Sequence, residues 1–359
     1  MSAPPSKRRA AARVPQARKA ATIDYRVLLK RILDEAMDWT VLPGFSRIGY
    51  QVRARLQPRG PIAVAGRSVM VTGASSGIGE AACTELARLG ASVHMVTRSR
   101  ERGQQALERI AAASGSKSIE LHICDLSSLR SVREFAFTFL ASGAPLNVLV
   151  HNAGVLPAAR THTDEGFELT FATNVLGPFL LTALLLPALR RSAPSRVINV
   201  SSGGMYTAKI DLADLQLERR EFSGARFYAH TKRAEVILSE EWGRRLAADG
   251  ITVHSTHPGW VATAGVAASL PGFQRVMGPL LRDPAAGADT IVWLAASAEA
   301  ARSTGQFWHD RRVRPKHRVP WTRETPEERA RLFSMCEDLC GLSPGGAIIP
   351  TTSTDTEGD

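Results

Sequence analysis

The segment VMVTGASSGIG, residues 69–79, constrains the fold of this chain more than any other stretch. Its first residues are apolar and predict a buried strand, and EAACTELARLGA after it has the apolar spacing of a helix. Gly73, Gly77 and Gly79 lie between the two. The start of a helix carries unpaired backbone N–H groups, which suit a pyrophosphate. We therefore predict a dinucleotide-binding turn, with a plain strand-to-helix turn as the alternative.

The composition is typical of a soluble globular protein with one main domain. The 359 residues are 44% hydrophobic and 22% charged. The four cysteines are few and scattered, which favours a reducing, cytoplasmic compartment over a disulfide framework. Cys336 and Cys340 are four residues apart, but no second pair has ligand spacing. We therefore expect packing thiols and no metal site.

The net charge of +11 comes mainly from the N-terminal segment. Residues 1–31 contain nine Lys or Arg residues and one acidic residue, Asp24. We predict that residues 1–22 form a basic disordered tail and that residues 346–359 form a second disordered tail. An organellar transit peptide is the alternative interpretation of residues 1–22. The rest of the chain is close to neutral, so we expect no specific nucleic-acid partner. Salt-dependent DNA binding through the basic tail is a further hypothesis.

Residues 23–60 predict an N-terminal amphipathic helical extension. Apolar residues recur there at helical spacing before a Pro-Gly break, at Leu28, Leu29, Ile32, Leu33 and Met37. We expect this helix to pack on the domain or on a second subunit of a homo-oligomer. Peripheral membrane contact is the less favoured alternative. The longest apolar run, residues 179–189, is too short to cross a bilayer and contains Pro187.

From residue 67 onwards, strand patterns alternate with helical patterns. The predicted strands are residues 68–71, 92–96, 118–123, 148–150, 197–200, 252–257 and 306–308. Apolar strands separated by crossover helices indicate a parallel sheet that is covered on both faces. We therefore predict an α/β protein with a Rossmann-type doubly wound parallel sheet. It forms a single domain over residues 61–345, with the N-terminal helical extension and a small lid at about residues 264–283.

The end of the second strand, VTRSRERG, indicates the choice of cofactor. Sites that prefer NAD usually place an acid there for the adenosine ribose, whereas Thr97 is uncharged and Arg98 follows it. An arginine can pair with a phosphate oxygen through two donors. We predict that NADP(H) is preferred over NAD(H), with Arg98 at the 2′-phosphate. The alternative is that these arginines are solvated residues at the start of the next helix, and we expect this of Arg102 in particular.

Polar residues occur at two other strand ends and in one apolar helix. Asp125 and Leu126 follow the third strand and are placed to contact an adenine ring, although a helix N-cap is an equally open role for Asp125. Asn152, in HNAG after the fourth strand, can tie neighbouring strand ends together. Asn174 lies in an apolar helical context, where a buried amide stabilises a kink or joins a polar relay.

Tyr228 and Lys232, in YAHTK, form the most chemically informative pair. At positions i and i+4 of a helix, the ammonium would lie beside the phenol and lower its pKa, which suits a general acid or base. The pair indicates catalysis only together with a serine at a strand end. Ser201 and Ser202 lie at the end of the fifth strand, where a hydroxyl can donate to a carbonyl oxygen. We choose Ser202 because it lies further from the strand. Capping of the next segment is the alternative for either serine.

Together these motifs resemble the short-chain dehydrogenase/reductase family over about residues 66–310. The resemblance rests on TGASSGIG, the DL pair after the third strand, HNAG, the helix of Asn174, NVSS, YAHTK and HPGWVAT. Within the family, NVSSGGMY, DLADLQ, HPGW and GADTIVWLA are similar to the member-12 dehydrogenase/reductase group, near the retinol-dehydrogenase-like branch.

The resemblance implies an oxidoreductase that interconverts a carbonyl compound and an alcohol. Tyr228 would be the general acid or base, Ser202 would position the substrate oxygen, and Asn174 would support a water. Lys232 would hold the nicotinamide ribose and lower the pKa of Tyr228. The expected cofactor-binding residues are Gly73, Ser75, Ser76, Gly77, Ile78, Gly79, Arg98, Asp125, Leu126, Asn152, Ala153, Gly154, Tyr228, Lys232, Pro258, Gly259 and Thr263.

Two positions depart from the common pattern of the family. Ser202 and Tyr228 are 26 residues apart, because MYTAKIDLADLQLERREFSGARF lies between them. The retinol-dehydrogenase-like branch also carries such an insertion. His151 replaces the first residue of the family's Asn-Asn-Ala-Gly motif, and we expect this change to affect packing more than chemistry.

The segment after Thr263 indicates the substrate class. AGVAASLPGFQRVMGPLLRD is apolar and has Pro-Gly and Gly-Pro breaks, which suits a mobile lid over a hydrophobic ligand. With Trp260, Met205 and Phe273, it predicts a small lipophilic carbonyl or alcohol substrate, and ordinary core packing is the alternative. A non-catalytic cofactor-binding or redox-sensing protein is the alternative function.

Overall fold

A computed structural model of the chain describes residues 25–56, 62–219, 221–263, 265 and 271–343. The predicted tails at residues 1–22 and 346–359 lie outside the described residues. The strands are β1 Ser68–Thr72, β2 Ser92–Thr97, β3 Ile119–Ile123, β4 Val148–His151, β5 Ser195–Val200, β6 Ile251–Thr256, β7 Gln306–His309 and β8 Arg312–Val313. They form one sheet in the order β3-β2-β1-β4-β5-β6-β7-β8.

The first seven strands are parallel, and β8 pairs with β7 in the antiparallel direction. The predicted doubly wound parallel sheet is therefore confirmed. The strand order reverses between β1 and β4, and ligands of such sheets bind at the carboxyl ends of the strands beside that point. The sequence does not predict β8, which follows a tight turn at Asp310 and Arg311 with φ values of 49° and 57°. Asp-Arg is not a typical sequence for such a turn.

Helices cover both faces of the sheet. They are α1 Tyr25–Trp39, α2 Val41–Phe45, α3 Arg47–Leu56, α4 Gly77–Arg88, α5 Arg100–Ser114, α6 Leu129–Ala141, α7 Leu169–Phe171, α8 Gly177–Arg191, α9 Gly224–Leu246, α10 Pro271–Met277, α11 Pro284–Ala296 and α12 Pro326–Leu339. Apolar residues of α4, α5 and α11 form the core on one face. Apolar residues of α6, α8, α9 and α12 form the core on the other, where Cys336 and Cys340 are buried as free packing thiols.

Side chains at the helix starts explain where several helices begin. Ser99, Ser128 and Asp283 each accept a hydrogen bond from a backbone N–H in the first turn of the helix that follows. Thr325 and Glu328 form a reciprocal capping box at the start of α12. Ser128 rather than Asp125 caps α6, so the N-cap alternative for Asp125 is wrong.

The most apolar helical stretch runs through the interior. Residues Leu169–Arg191, which include α7 and α8, form a helical stretch of 23 residues, and an 18-residue window within it has a mean hydropathy of 1.8. This stretch is long and apolar enough to cross a membrane, contrary to our expectation from the shorter apolar run. However, 94% of its apolar window is buried within the protein, as in the core helix of a globular fold.

Helix α1 of the N-terminal extension packs on the domain through buried polar side chains, while three of its apolar side chains stay exposed. Asp34 and Asp38 of α1 are buried, whereas Leu29, Ile32 and Leu33 are 67%, 54% and 45% exposed. For the contact with the domain, the amphipathic pattern therefore indicates the wrong face of α1, and packing of its apolar face on a second subunit stays a prediction. The side chain of Leu28 lies outside the described residues.

Buried ion pairs hold the extension in place. Arg53 of α3 is 1% exposed, and it donates to Asp34 at 2.8 Å and to Asp310 of the β7–β8 turn at 2.8 Å. Arg314 donates to both carboxylate oxygens of Asp34, at 2.8 and 2.9 Å. Burial would raise the pKa of Asp34, but Arg314, Arg312 and Arg53 lower it to about 2. These partners compensate the cost of removing the charges from water.

We predict that Arg53→Met destabilises the protein by about 3–5 kcal/mol, because it leaves carboxylates in the interior without one of their guanidinium partners. Urea unfolding measures this change. Arg88→Met is the matched control, since Arg88 and its partner Glu85 are exposed and such pairs contribute about 0–1 kcal/mol. Equal stability losses in the two variants would mean that the buried pairs do not hold the extension.

Candidate active site

The glycine turn follows β1, and its backbone is packed too closely for side chains. A Cβ atom on Gly73 would lie 2.8 Å from Ala153 Cα, and one on Gly79 would lie 2.4 Å from the Gly73 carbonyl oxygen. Gly73 and Gly77 have positive φ values of 67° and 59°, which favour glycine. Gly77 begins α4, so the unpaired N–H groups of its first turn lie at the carboxyl end of β1.

Ser75, Ser76 and Ile78 complete the turn, and each keeps some solvent-exposed surface. Arg109 of α5 braces the turn from outside. Its guanidinium donates to the Ser75 carbonyl oxygen at 3.4 Å and to both carboxylate oxygens of Glu80, at 2.8 and 2.9 Å. The sequence analysis does not identify this contact, because nothing in the local pattern brings α5 to the turn.

Asn152 ties the end of β4 to the end of β1. Its side-chain Nδ2 donates to the Thr72 carbonyl oxygen at 3.0 Å and to that of Gly73 at 3.3 Å. The Thr72 hydroxyl in turn accepts from the backbone N–H groups of Asn152 and Ala153. The HNAG segment therefore lies directly against the glycine turn. His151 is buried and its Nε2 lies 2.8 Å from Thr182 Oγ1, so it is a packing residue.

Lys232 lies in the interior beside Tyr228 on α9. Lys232 is 2% exposed, and its Nζ lies 5.4 Å from the centre of the Tyr228 ring. The ammonium donates to the Val200 carbonyl oxygen at 2.9 Å and to Glu235 Oε1 at 2.6 Å. Gly154 lies next to it, since a Cβ atom there would be 3.3 Å from Nζ. Lys232 therefore connects the ends of β5 and β4 to α9.

The two serines at the end of β5 have different surroundings. Ser201 is buried and its hydroxyl donates to the Lys232 carbonyl oxygen at 2.7 Å, so it joins strand to helix. Ser202 is half-buried, and its side chain interacts with that of Tyr228, a contact that acts to lower the pKa of the phenol. The long insertion between Ser202 and Tyr228 thus returns the chain to the same place. Ser202 also accepts from the Gly204 N–H, so it caps the following turn as well.

The electrostatics of the free protein differ from our expectation for Tyr228. Burial raises the pKa of the phenol, and this effect exceeds the lowering by Lys232, which the carboxylate of Glu235 partly offsets. Burial would also lower the pKa of Lys232, but Glu235 raises it above its usual value. Lys232 is therefore charged and Tyr228 is protonated at neutral pH.

Glu235 is a further residue of the site that the sequence analysis does not identify. Its carboxylate is buried, and burial raises its pKa to about 7 even though Lys232 acts in the opposite direction. Glu235 Oε2 has no hydrogen-bond partner among the described residues. A cavity of about 20 Å³ lies against Glu235, Asn174 and Thr182, which is enough for one water. Lys232 and Glu235 are three residues apart, which places both on one face of α9. This spacing in the sequence indicates that Glu235 can pair with Lys232.

Asn174 lies in a π-helical turn, Ala172–Leu176, between α7 and α8. Its Oδ1 accepts from the Val155 N–H at 2.9 Å, and its Nδ2 donates to the Thr231 hydroxyl at 3.1 Å. The side chain therefore joins the loop after β4 to α9. π-Helical turns are frequent at functional sites. The turn is the local distortion that the sequence analysis offers as one alternative, and a role of Asn174 in a polar relay stays a prediction.

The HPGW segment after β6 closes the site from the other side. A Cβ atom on Gly77 would lie 3.2 Å from Thr263 Cγ2, so Thr263 lies over the glycine turn. Gly259 has a φ of 83°, and a Cβ atom there would lie 2.2 Å from Arg282 Nε. Arg282 also donates to the Pro258 carbonyl oxygen at 3.4 Å. Only glycine fits at position 259.

The predicted adenosine-side residues lie at the ends of β2 and β3. Arg98 is exposed immediately after β2, and Thr97 before it is buried. Asp125 Oδ1 accepts from the backbone N–H and the hydroxyl of Ser127, at 2.9 and 2.7 Å. Leu126 is buried beneath it. These residues share the edge of the sheet that carries the glycine turn.

The N-terminal extension reaches the site through Phe45. A Cβ atom on Gly203, the residue after Ser202, would lie 2.7 Å from the Phe45 ring. The same ring meets His257 edge-on with ring centres 4.4 Å apart, and the Trp260 N–H donates to the Phe45 carbonyl oxygen at 2.9 Å. The Phe45 side chain therefore packs between the loops after β5 and β6. The sequence analysis does not foresee this contact.

One expectation for the substrate pocket is wrong, and another falls on residues that the structure does not describe. Met205 has no exposed surface and packs with Phe45 and Phe307, so it cannot contact a substrate. Residues 264 and 266–270 of the predicted lid, and the side chain of Phe273, lie outside the described residues. A cavity of about 1090 Å³ is lined by residues of the insertion, of the first turns of α9 and of the start of α12, and Tyr228 is not among its lining residues.

The arrangement fits a nicotinamide dinucleotide. The tight glycine turn leaves backbone N–H groups for a pyrophosphate. An ammonium has three donors, and within the described residues two of those of Lys232 are used, which leaves one for a ribose hydroxyl. Gly154 beside it is exposed and has no side chain to block the approach.

Comparisons with known proteins agree with this geometry. The chain matches the family described as short chain dehydrogenase over residues 67–271. It is 44% identical over 281 residues to dehydrogenase/reductase SDR family member 12 of Bos taurus, covering 77% of this chain and 87% of the relative. It is 37% identical over 284 residues to retinol dehydrogenase 11 of Homo sapiens, covering 77% and 86%.

A solved structure has the same fold. The Pseudomonas aeruginosa RhlG/NADP active-site complex is 28% identical and superposes with a TM-score of 0.57, covering 68% of this chain and 94% of that one.

Proposed function

Because the chain belongs to the short-chain dehydrogenase/reductase family, we propose that it is an NADP(H)-dependent oxidoreductase that interconverts a lipophilic carbonyl compound and its alcohol. The observation that carries this proposal is the meeting of Ser202, Tyr228 and Lys232 at the carboxyl edge of the sheet. Ser202 follows β5, and Tyr228 and Lys232 lie on α9. Strand β5 neighbours β4, whose end packs on the glycine turn.

Tyr228 and Ser202 act on the substrate oxygen. In reduction, the Tyr228 phenol donates its proton to the carbonyl oxygen, while the Ser202 hydroxyl donates a hydrogen bond to that oxygen and holds it. The nicotinamide, when bound, supplies the hydride that reaches the carbonyl carbon. In oxidation, Tyr228 accepts the alcohol proton instead.

Lys232 makes proton transfer by Tyr228 possible, and Glu235 keeps Lys232 charged. The Lys232 ammonium stabilises the phenolate that remains when Tyr228 gives up its proton. In the interior, the ammonium would lose its own proton without a partner, and Glu235 provides that partner at 2.6 Å. When bound beside Lys232, the positive nicotinamide ring of the oxidised cofactor would add to the field at the phenol and would lower the pKa of Tyr228.

Arg98 supports the preference for NADP(H). It is exposed at the end of β2, where an acid would repel the 2′-phosphate and a guanidinium can pair with it. The solved relative described above is a complex with NADP.

The substrate class rests on the lid and on the relatives. Residues of α10 and the turn after it are Pro, Gly and apolar residues, apart from Gln274 and Arg275. Relatives of this chain are named retinol dehydrogenases. We assign a lipophilic aldehyde, ketone or alcohol as the substrate on which Tyr228 acts.

We predict that Tyr228→Phe lowers turnover at least about 100-fold, because it removes the transferred proton, and leaves NADPH binding unchanged. Turnover is measured with NADPH and NADH over aldehydes, ketones, alcohols and retinoids, and binding by NADPH fluorescence. Tyr50→Phe, in the extension, is the matched control and keeps full activity. Full activity of Tyr228→Phe contradicts the mechanism. Binding of NADPH by the unsubstituted protein without any turnover favours the non-catalytic alternative.

We predict that Arg98→Ala weakens NADPH binding about tenfold or more and leaves NADH binding unchanged, because only NADPH carries the 2′-phosphate. Arg102→Ala is the control, since Arg102 is exposed one turn further along α5. Dissociation constants for both cofactors at moderate salt test this. An equal affinity of the unsubstituted protein for NADH and NADPH is incompatible with the assignment.

A further inference from the structure

Three potential metal ligands converge within β2 and β3, the two strands at the outer edge of the sheet, and none of them is among the candidate site residues described above. The β2–β3 register pairs His94 with Glu120, and His122 lies two residues further along β3. Residues two apart on a strand project to the same face. The three side chains therefore meet on one face of the sheet, and their ligand atoms all lie within 4.8 Å of one another.

The separations match those of a metal coordination sphere. His94 Nδ1 lies 3.0 Å from His122 Nε2, Glu120 Oε2 lies 3.4 Å from His94 Nδ1, and it lies 3.7 Å from His122 Nε2. Ligands about 2.0–2.1 Å from a tetrahedral zinc ion are about 3.3 Å apart. The circle through three atoms at the observed separations has a radius of about 2.0 Å, so one ion can reach all three at bonding distance.

We propose that His94, Glu120 and His122 bind a divalent transition-metal ion, preferably zinc, between β2 and β3. Two imidazole nitrogens and one carboxylate oxygen suit zinc, whereas magnesium and calcium prefer oxygen ligands. The three protein ligands leave a fourth position for water.

The surroundings of the ligands favour this assignment. His94 is 6% exposed and meets the Phe139 ring edge-on at 5.3 Å, and His122 packs against Phe135 of the same helix, α6. These aromatic rings restrict the rotation of both imidazoles. The Glu120 side chain is 65% exposed, so the site is open to ions from solvent.

The ion would have a structural role. It would join the edge strand β3 to β2, and β1 and β4 separate these strands from β5, which carries Ser202. Neither histidine belongs to the cofactor or substrate machinery described above. Metal binding therefore stabilises the fold without supporting turnover, and it is independent of the proposed oxidoreductase function. The alternative is a plain hydrogen bond between two neutral imidazoles.

The test is a metal titration of the untagged full-length chain after treatment with a chelator. Calorimetry with Zn²⁺ measures affinity and stoichiometry, and the visible absorption of Co²⁺ reports tetrahedral coordination. We expect one Zn²⁺ per chain with a micromolar or lower dissociation constant, a rise in melting temperature with Zn²⁺, and no effect of Mg²⁺.

Glu120→Gln and His122→Gln are the test variants, because both side chains are at least partly exposed and their replacement preserves the fold. Each is expected to weaken Zn²⁺ binding about tenfold or more and to abolish the rise in melting temperature. His162→Gln is the control, since His162 and its neighbour Glu218 are exposed. The proposal is overturned if the protein shows no saturable Zn²⁺ binding, or if binding is as tight in Glu120→Gln and His122→Gln as in the control.

Discussion

The buried ammonium of Lys232 is the constraint on which the rest of the candidate active site depends. A charge inside a protein needs partners, and those of Lys232 come from its own helix and from the end of β5. They fix α9 against the sheet, and Tyr228, one turn earlier, is thereby held beside Ser202. Glu235 has two opposite effects: it keeps Lys232 charged, and it weakens the field of that charge at the phenol.

A second layer of contacts fixes the loops that meet at this point. Asn152 joins the loops after β1 and β4, and Asn174 joins the loop after β4 to α9. Phe45 fills the space between the loops after β5 and β6, and Arg282 and Asp310 lie behind it with the buried ion pairs of the extension. The extension is therefore part of the support of the site, although it precedes the family domain in sequence.

Periodicity and strand-end motifs were sufficient to predict the seven parallel strands and the order of the motifs along them. They do not predict contacts between side chains that are far apart in the sequence. The apolar face of α1 resembled an interface, but Asp34 and Asp38 make the contact, because their arginine partners lie far along the chain. The sequence predicts that Met205 lines the substrate pocket, but Met205 is fully buried in a cluster that includes Phe45. The pKa of Tyr228 depends on Glu235 and on burial, neither of which the Tyr-Lys spacing reports.

The central claim is that the free protein holds Tyr228 as a phenol and that the bound oxidised cofactor makes its ionisation easier. A titration of tyrosinate absorbance, with and without NADP⁺ and with Tyr228→Phe as the blank, measures this directly. The account predicts that the pKa of Tyr228 lies above the ordinary tyrosine value in the free protein and falls toward neutral pH in the complex. The same pKa in both states would contradict it.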